Sequence, residues 1–105
     1  KRIDLKYARG GIVDIEFVVQ YLVLKYAASH PQICRWSDVV RIVDELEVAG
    51  ILSKDNAKSL RDAYLQLRAA THRIAMSYDT EHDLAQAVES MARAKVTCTD
   101  LLPNL

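Results

Sequence analysis

Asp14 and Glu16 stand two residues apart in the run Ile12-Val13-Asp14-Ile15-Glu16-Phe17, directly behind Arg9-Gly10-Gly11. Paired carboxylates are the residue types that hold divalent ions in metal-dependent nucleotidyl transfer, where the ions bridge phosphate oxygens. An arginine beside two glycines at a helix start can bring backbone amides and positive charge to an anion. The junction therefore has three readings: an anion site at a helix start, a metal-binding strand, or a buried packing helix behind a flexible hinge. On a strand, positions i and i+2 share a face, and Val13, Ile15, Phe17 and Val19 do alternate against Asp14, Glu16 and Gln20. On a helix the two carboxylates point about 200° apart, which makes convergence on one metal ion unfavourable. The run continues to Ala28 without a turn signal, longer than a usual strand, so a helix is predicted.

In that helix Asp14 falls in the first turn, where the helix dipole favours a negative charge by about 0.3–1 kcal/mol. Glu16 and Gln20 lie one turn apart, and burying either requires a partner, for which Lys6 or Arg9 of the preceding segment is a candidate. Gly10-Gly11 lacks the spacing of a Walker loop or a dinucleotide fingerprint, so a simple tight turn competes with anion contact. His30, His72 and His82 show no ligand spacing with one another or with Cys34 and Cys98, and no metal site is assigned. No serine or cysteine is placed near a histidine by a recognisable motif, so no catalytic residue is assigned either. Trp36, close to Pro31 and Ile33, reads as a plug for its loop, with a partner contact as the alternative.

The elements that must position these residues are helices. Ile12 to Ser29 contains no Gly or Pro, and Phe17, Val18, Tyr21, Leu22, Leu24 and Tyr26 occupy most sides of it, which predicts a central helix ended by His30-Pro31. Ser37 with Asp38 starts a second, short helix, with Val39, Ile42, Val43, Leu46 and Ala49 on one face and Gly50 as its stop. Ser53 or Asp55 caps a third, with a seam of Ala57, Leu60, Tyr64, Leu67, Thr71, Ile74 and Tyr78. After Asp79-Thr80-Glu81, the residues Leu84, Ala85, Val88, Met91, Ala92 and Val96 mark a fourth that fades near Thr97-Cys98-Thr99, and Pro103 closes the chain. Short connections favour antiparallel neighbours, so the expected fold class is all-α, a four-helix up-and-down bundle with a short irregular lead. Lys58 with Asp62, Arg41 with Glu45 and Glu89 with Arg93 have the i,i+4 spacing of solvated helix faces.

A chain of 105 residues, 50% hydrophobic and 27% charged, is expected to form one domain, 1–105. Its formal net charge of zero gives no global field for nucleic acid or an anionic membrane, although Lys1, Arg2, Lys6 and Arg9 face only Asp4 in the lead. Unpaired cysteine spacing and the lack of a signal-like opening fit free thiols in a reducing cytoplasm. Asp14, Glu16, Gln20 and Lys25 interrupt the longest apolar stretch, against an unassisted membrane span.

The segment Asp4-Leu5-Lys6-Tyr7-Ala8-Arg9-Gly10-Gly11-Ile12-Val13-Asp14-Ile15-Glu16-Phe17 strongly resembles the signature of the bacterial glutamine synthetase adenylyltransferase family. Gln20-Tyr21-Leu22-Val23-Leu24, Arg35-Trp36-Ser37-Asp38 and the long third helix through Leu67-Arg68 look like the helical domain at the carboxyl end of that enzyme. The likeness covers roughly Asp4 to Tyr78. It implies a fragment of a large two-headed enzyme, one half removing AMP from glutamine synthetase and the other attaching it to a tyrosine with ATP and Mg²⁺. The Tyr-Leu-Val-Leu and Arg-Trp-Ser-Asp stretches look more like the bundle behind the adenylylating half. The glycine-serine and spaced Asp-x-Asp pattern of the catalytic fold has no match here, so the resemblance implies a piece inactive alone and without its own cofactor. Its implied partners are the nucleotidyltransferase domain of the same chain, glutamine synthetase and the PII signal protein.

The motif carries over onto Asp4, Lys6, Gly10, Gly11, Asp14, Glu16 and Gln20. Lys6, Arg9, Gly10, Gly11, Asp14, Glu16 and Gln20 are the residues expected at a domain interface or facing nucleotide. The competing classes are a stand-alone helical adaptor that binds a partner helix and a small metal-dependent catalyst using Asp14 and Glu16.

Overall fold

The computed structural model describes residues 5–75 and 80–102. Ser53 and Asp38 act where a helix-capping residue is needed. The Asp38 carboxylate accepts from Val40 N at 3.0 Å to start one helix, and Ser53 Oγ accepts from Asn56 N at 3.1 Å to start the next, which settles the choice between Ser53 and Asp55. Gly50, at φ +80°, ends the first of these: Ile51 N donates to Leu46 O at 2.9 Å, and Gly50 N to Glu47 O at 3.0 Å. The elements among the described residues are α1 (Ile12–Tyr26), a 3₁₀ helix (Pro31–Arg35), α2 (Val39–Val48), α3 (Lys54–Ala75) and α4 (Thr80–Leu101). They form a four-helix up-and-down bundle behind a short irregular lead, the predicted fold class. None of the helices is long and apolar enough to cross a membrane, among the described residues.

Ile15, Val18, Val19, Ile33, Ile42, Val43, Leu46, Leu60 and Leu67 are fully buried and make the centre of the core. Each such side chain is worth about 1.5–3 kcal/mol on burial, whereas the exposed pairs Lys58–Asp62 (2.6 Å) and Arg93–Glu89 (3.4 Å) contribute about 0–1 kcal/mol each. Arg61 ties α2 to α3 by reaching Asp44 at 2.9 Å and Glu47 at 3.5 Å. The predicted partner of Arg41, Glu45, makes no ion pair with it; Arg41 lies over the Trp36 ring instead, 4.5 Å from the centroid.

The predicted faces need correction in three helices. In α1, Ile12, Ile15, Val18, Val19 and Leu22 are buried, but Phe17 and Leu24 point outward, so the helix is buried on one side and not all round. It also stops at Tyr26, and Pro31 does not merely end a helix but occupies the first turn of the 3₁₀ helix, where its missing N–H costs nothing. In α3, Ala63 and Ala70 join Ala57, Leu60 and Leu67 inside, while Thr71 is exposed and returns its hydroxyl to Leu67 O at 2.8 Å.

In α4 the inward side among the described residues is Ala87, Ser90, Met91, Ala94, Thr97 and Cys98; of the described part of the predicted face Met91 is buried, and Ala85, Val88, Ala92 and Val96 are exposed. The helix runs through Thr97-Cys98-Thr99 instead of fading there. Small side chains let α3 and α4 approach closely, and the two buried hydroxyls are satisfied: Ser90 donates to Gln66, and Thr97 pairs with Ser59 at 2.7 Å. Hydrophobicity alone points to Val88 and Val96, because the signal of the true face lies in size and hydrogen bonding. The side chains of Ile74, His82 and Leu84, and residues Tyr78, Asp79 and Pro103, lie outside the described residues.

Candidate functional site

The lead folds back so that its own carbonyls meet the first amides of α1. Gly11 N donates to Ala8 O at 2.8 Å, Ile12 N to Leu5 O at 3.0 Å and Val13 N to Lys6 O at 2.9 Å. These bonds replace a side-chain cap, which α1 lacks. The Asp14 carboxylate reaches back one turn and accepts from Gly10 N at 2.8 Å. Amides of Gly10 and Gly11 that could have cradled a phosphate are therefore engaged inside the turn.

Both glycines are demanded by space. Gly10 is buried at φ +79°, in the left-handed region, and a Cβ there would overlap the Met91 carbonyl oxygen and lie 2.9 Å from Lys95 N. A Cβ on Gly11 would lie 2.5 Å from Leu5 O and 2.9 Å from Ala8 O. Gly10 thus seats the lead on the backbone of α4, and Gly11 lets the lead close over α1.

Asp14 and Glu16 leave α1 in different directions, as a helix requires. Glu16 accepts from the Tyr64 hydroxyl of α3 at 3.2 Å, so its partner is a tyrosine 48 positions away along the chain and not the expected Lys6 or Arg9. Burial, followed by the Glu16 charge and the hydrogen bond to it, raises the Tyr64 pKa above its ordinary value, and the Arg68 guanidinium lies 5.8 Å from the ring centroid. Gln20 is exposed, as are Lys6 and Arg9. Cys98 sits beneath the junction; burial first, then the Asp14 charge, pushes its thiol up to about 12, which keeps it protonated and unreactive at neutral pH. Cys34 is a free thiol at the surface.

No group of three or more His, Cys, Asp or Glu side chains is placed to hold a metal ion among the described residues. The strand geometry that would bring Asp14 and Glu16 to one ion is not formed, and each carboxylate is occupied within the fold. A groove of about 360 Å³ between α3 and α4 is lined by Asp55, Lys58, Ser59, Asp62, Gln66 and Arg93, but the Lys58, Asp62 and Arg93 charges are already paired.

The outer side of α1 is different. Val13, Phe17, Gln20 and Leu24 recur there at helical spacing, with Phe17 60% and Leu24 80% exposed, and Tyr7 in the lead is 68% exposed. That stripe was hidden in the sequence because apolar residues occupy most sides of the run, so periodicity could not separate inside from outside.

The chain is thus an all-α bundle whose glycine turn is consumed in packing and whose first helix keeps an apolar stripe outside. The chain belongs to the GlnD PII-uridylyltransferase family, whose model matches residues 1–96. Among its relatives is the bifunctional glutamine synthetase adenylyltransferase/adenylyl-removing enzyme of Hahella chejuensis (strain KCTC 2396), 53% identical over 73 residues, which are 70% of this chain and 8% of that protein. The protein of the same name from Pseudomonas aeruginosa (strain PAO1) is 47% identical over 73 residues, 70% of this chain and 7% of the relative. The resemblance carried by the opening segment is borne out at this level. The chain spans less than a tenth of the length of these relatives. No solved structure matches it.

Proposed function

We propose that this chain is the carboxy-terminal helical part of an ATP-dependent adenylyltransferase that modifies glutamine synthetase, and that its work is to brace the neighbouring nucleotidyltransferase domain. The observation that carries the reading is the outward stripe of α1. The segment that resembles the family signature folds its glycines and Asp14 into its own turn, yet leaves Phe17 and Leu24 uncovered. Two large apolar groups on one helix face, with the exposed Lys6 and Arg9 of the lead and Gln20 midway along α1, fit an interface with a second folded unit.

Chemistry resides elsewhere in the parent. ATP and Mg²⁺ would be held by that other domain, since Asp14 and Glu16 donate nothing to a common point and the first amides of α1 are spent. Contact with glutamine synthetase or with the PII signal protein belongs to the same proposal and is a task of the assembled enzyme. A stand-alone adaptor would use the same stripe, and kinship with much longer enzymes favours the domain of an enzyme.

The chain alone, given ATP, Mg²⁺ and glutamine synthetase, is expected to transfer no AMP above background while the full-length parent does. Steady turnover by the chain alone would overturn the non-catalytic assignment.

A further inference from the structure

The loop before α2 carries a second surface, unrelated to the α1 junction. Trp36, half-buried between the 3₁₀ helix and α2, has the Arg35 guanidinium 5.9 Å and the Arg41 guanidinium 4.5 Å from its ring centroid. Both arginines are exposed, and neither forms an ion pair among the described residues. A guanidinium near an indole gains cation–π attraction without using its N–H donors, which stay available to a planar oxyanion. Two like charges near one ring, neither in an ion pair among the described residues, are an arrangement that an incoming anion relieves.

Nearby acidic groups do not supply that counter-ion. The Asp38 carboxylate accepts from Val40 N as the cap of α2, and Glu45, one turn beyond Arg41, makes no ion pair with it among the described residues. The cap also argues against phosphate as the ligand. Asp38 holds the Val40 amide at the N-terminus of α2 that a phosphate would use. Two guanidinium groups beside one half-buried indole suit carboxylates spaced along a peptide.

We infer that Arg35, Trp36 and Arg41 form a docking patch for an acidic segment of a partner polypeptide, read by bidentate guanidinium–carboxylate pairs. The patch is independent of the α1 stripe, so its test and that of the proposed function can fail separately.

Trp36 is the only tryptophan of the chain, which makes its fluorescence a direct reporter. The 105-residue chain would be titrated with a fluorescein-labelled oligoglutamate peptide at low salt, following both peptide anisotropy and Trp36 emission. Saturable binding is expected, with an emission change. It should weaken at least about tenfold in Arg35→Gln/Arg41→Gln, and also when salt is raised to about 0.15 M. Lys58→Gln/Arg93→Gln, which removes the same charge from α3 and α4, should bind as the wild type does. Arg41→Lys keeps the charge and loses the planar fork, so it should bind measurably less well and serves if the double variant fails to fold by circular dichroism. The proposal is overturned if there is no binding, if the α3/α4 control loses as much as the patch variant, if Arg41→Lys binds unchanged, or if inorganic polyphosphate competes more strongly than unlabelled oligoglutamate.

Discussion

Replacing Gly10 by alanine is expected to destabilise the fold by about 2–4 kcal/mol, while the same change at Gly50 costs about 1 kcal/mol. Both residues have nearly the same left-handed backbone, φ +79° and +80°, so the strain of placing a Cβ there is common to the two. What differs is the surroundings. Around Gly50 nothing lies within 4 Å of a Cβ, whereas at Gly10 the atoms in the way are backbone, the Met91 carbonyl and Lys95 N, which cannot swing aside like a side chain. For a domain of this size the Gly10→Ala loss corresponds to roughly 10–20 °C in the thermal midpoint. Paired thermal or urea unfolding of the two variants checks this. Equal losses would mean that the lead is not seated on α4.

The second large effect concerns function. Phe17→Asp combined with Leu24→Asp is expected to leave the stability of the chain alone within about 0.5 kcal/mol, because both side chains already face water. In the full-length parent the same double change should lower adenylyl transfer by at least about tenfold. Each lost apolar contact is worth about 1.5–3 kcal/mol at a covered interface, and the introduced carboxylates would be buried without partners. Ile15→Asp reverses this pattern: Ile15 is fully buried, and the chain itself should fail to fold. Wild-type rates from the Phe17/Leu24 variant in the parent would count against the bracing role.

The sequence was legible where a residue's job is local. Asp38 caps α2, Gly50 stops it, Ser53 caps α3, and the Lys58–Asp62 and Glu89–Arg93 pairs form at i,i+4, all within a few residues of chain. The four helices followed from the same signals. What escaped was set by contacts across the bundle. Glu16 meets Tyr64 across 48 positions, and Ser59 meets Thr97 across 38, distances at which no spacing rule operates. The inward face of α4 is built from Ala87, Ser90, Ala94 and Thr97, chosen for size and hydrogen bonding, so a hydrophobic pattern selects the wrong side. In α1 the difficulty is the opposite: apolar residues all round, with only packing to decide that Ile15 is inside and Leu24 outside. Gly10-Gly11 was visible as special, but spacing alone left a tight turn and an anion contact in competition until Met91 and Leu5 are seen against the glycines.

The unclaimed side of α1 is the point on which the bracing role turns, and it can be watched directly. Hydroxyl-radical footprinting of the 105-residue chain and of the full-length parent, followed by mass spectrometry, would report the oxidation of Phe17 and Tyr7 in each. Both side chains, mostly exposed in the chain alone, are expected to be oxidised several-fold more slowly in the parent. Equal oxidation of Phe17 in the two would show that no neighbour covers α1 and would contradict the assignment.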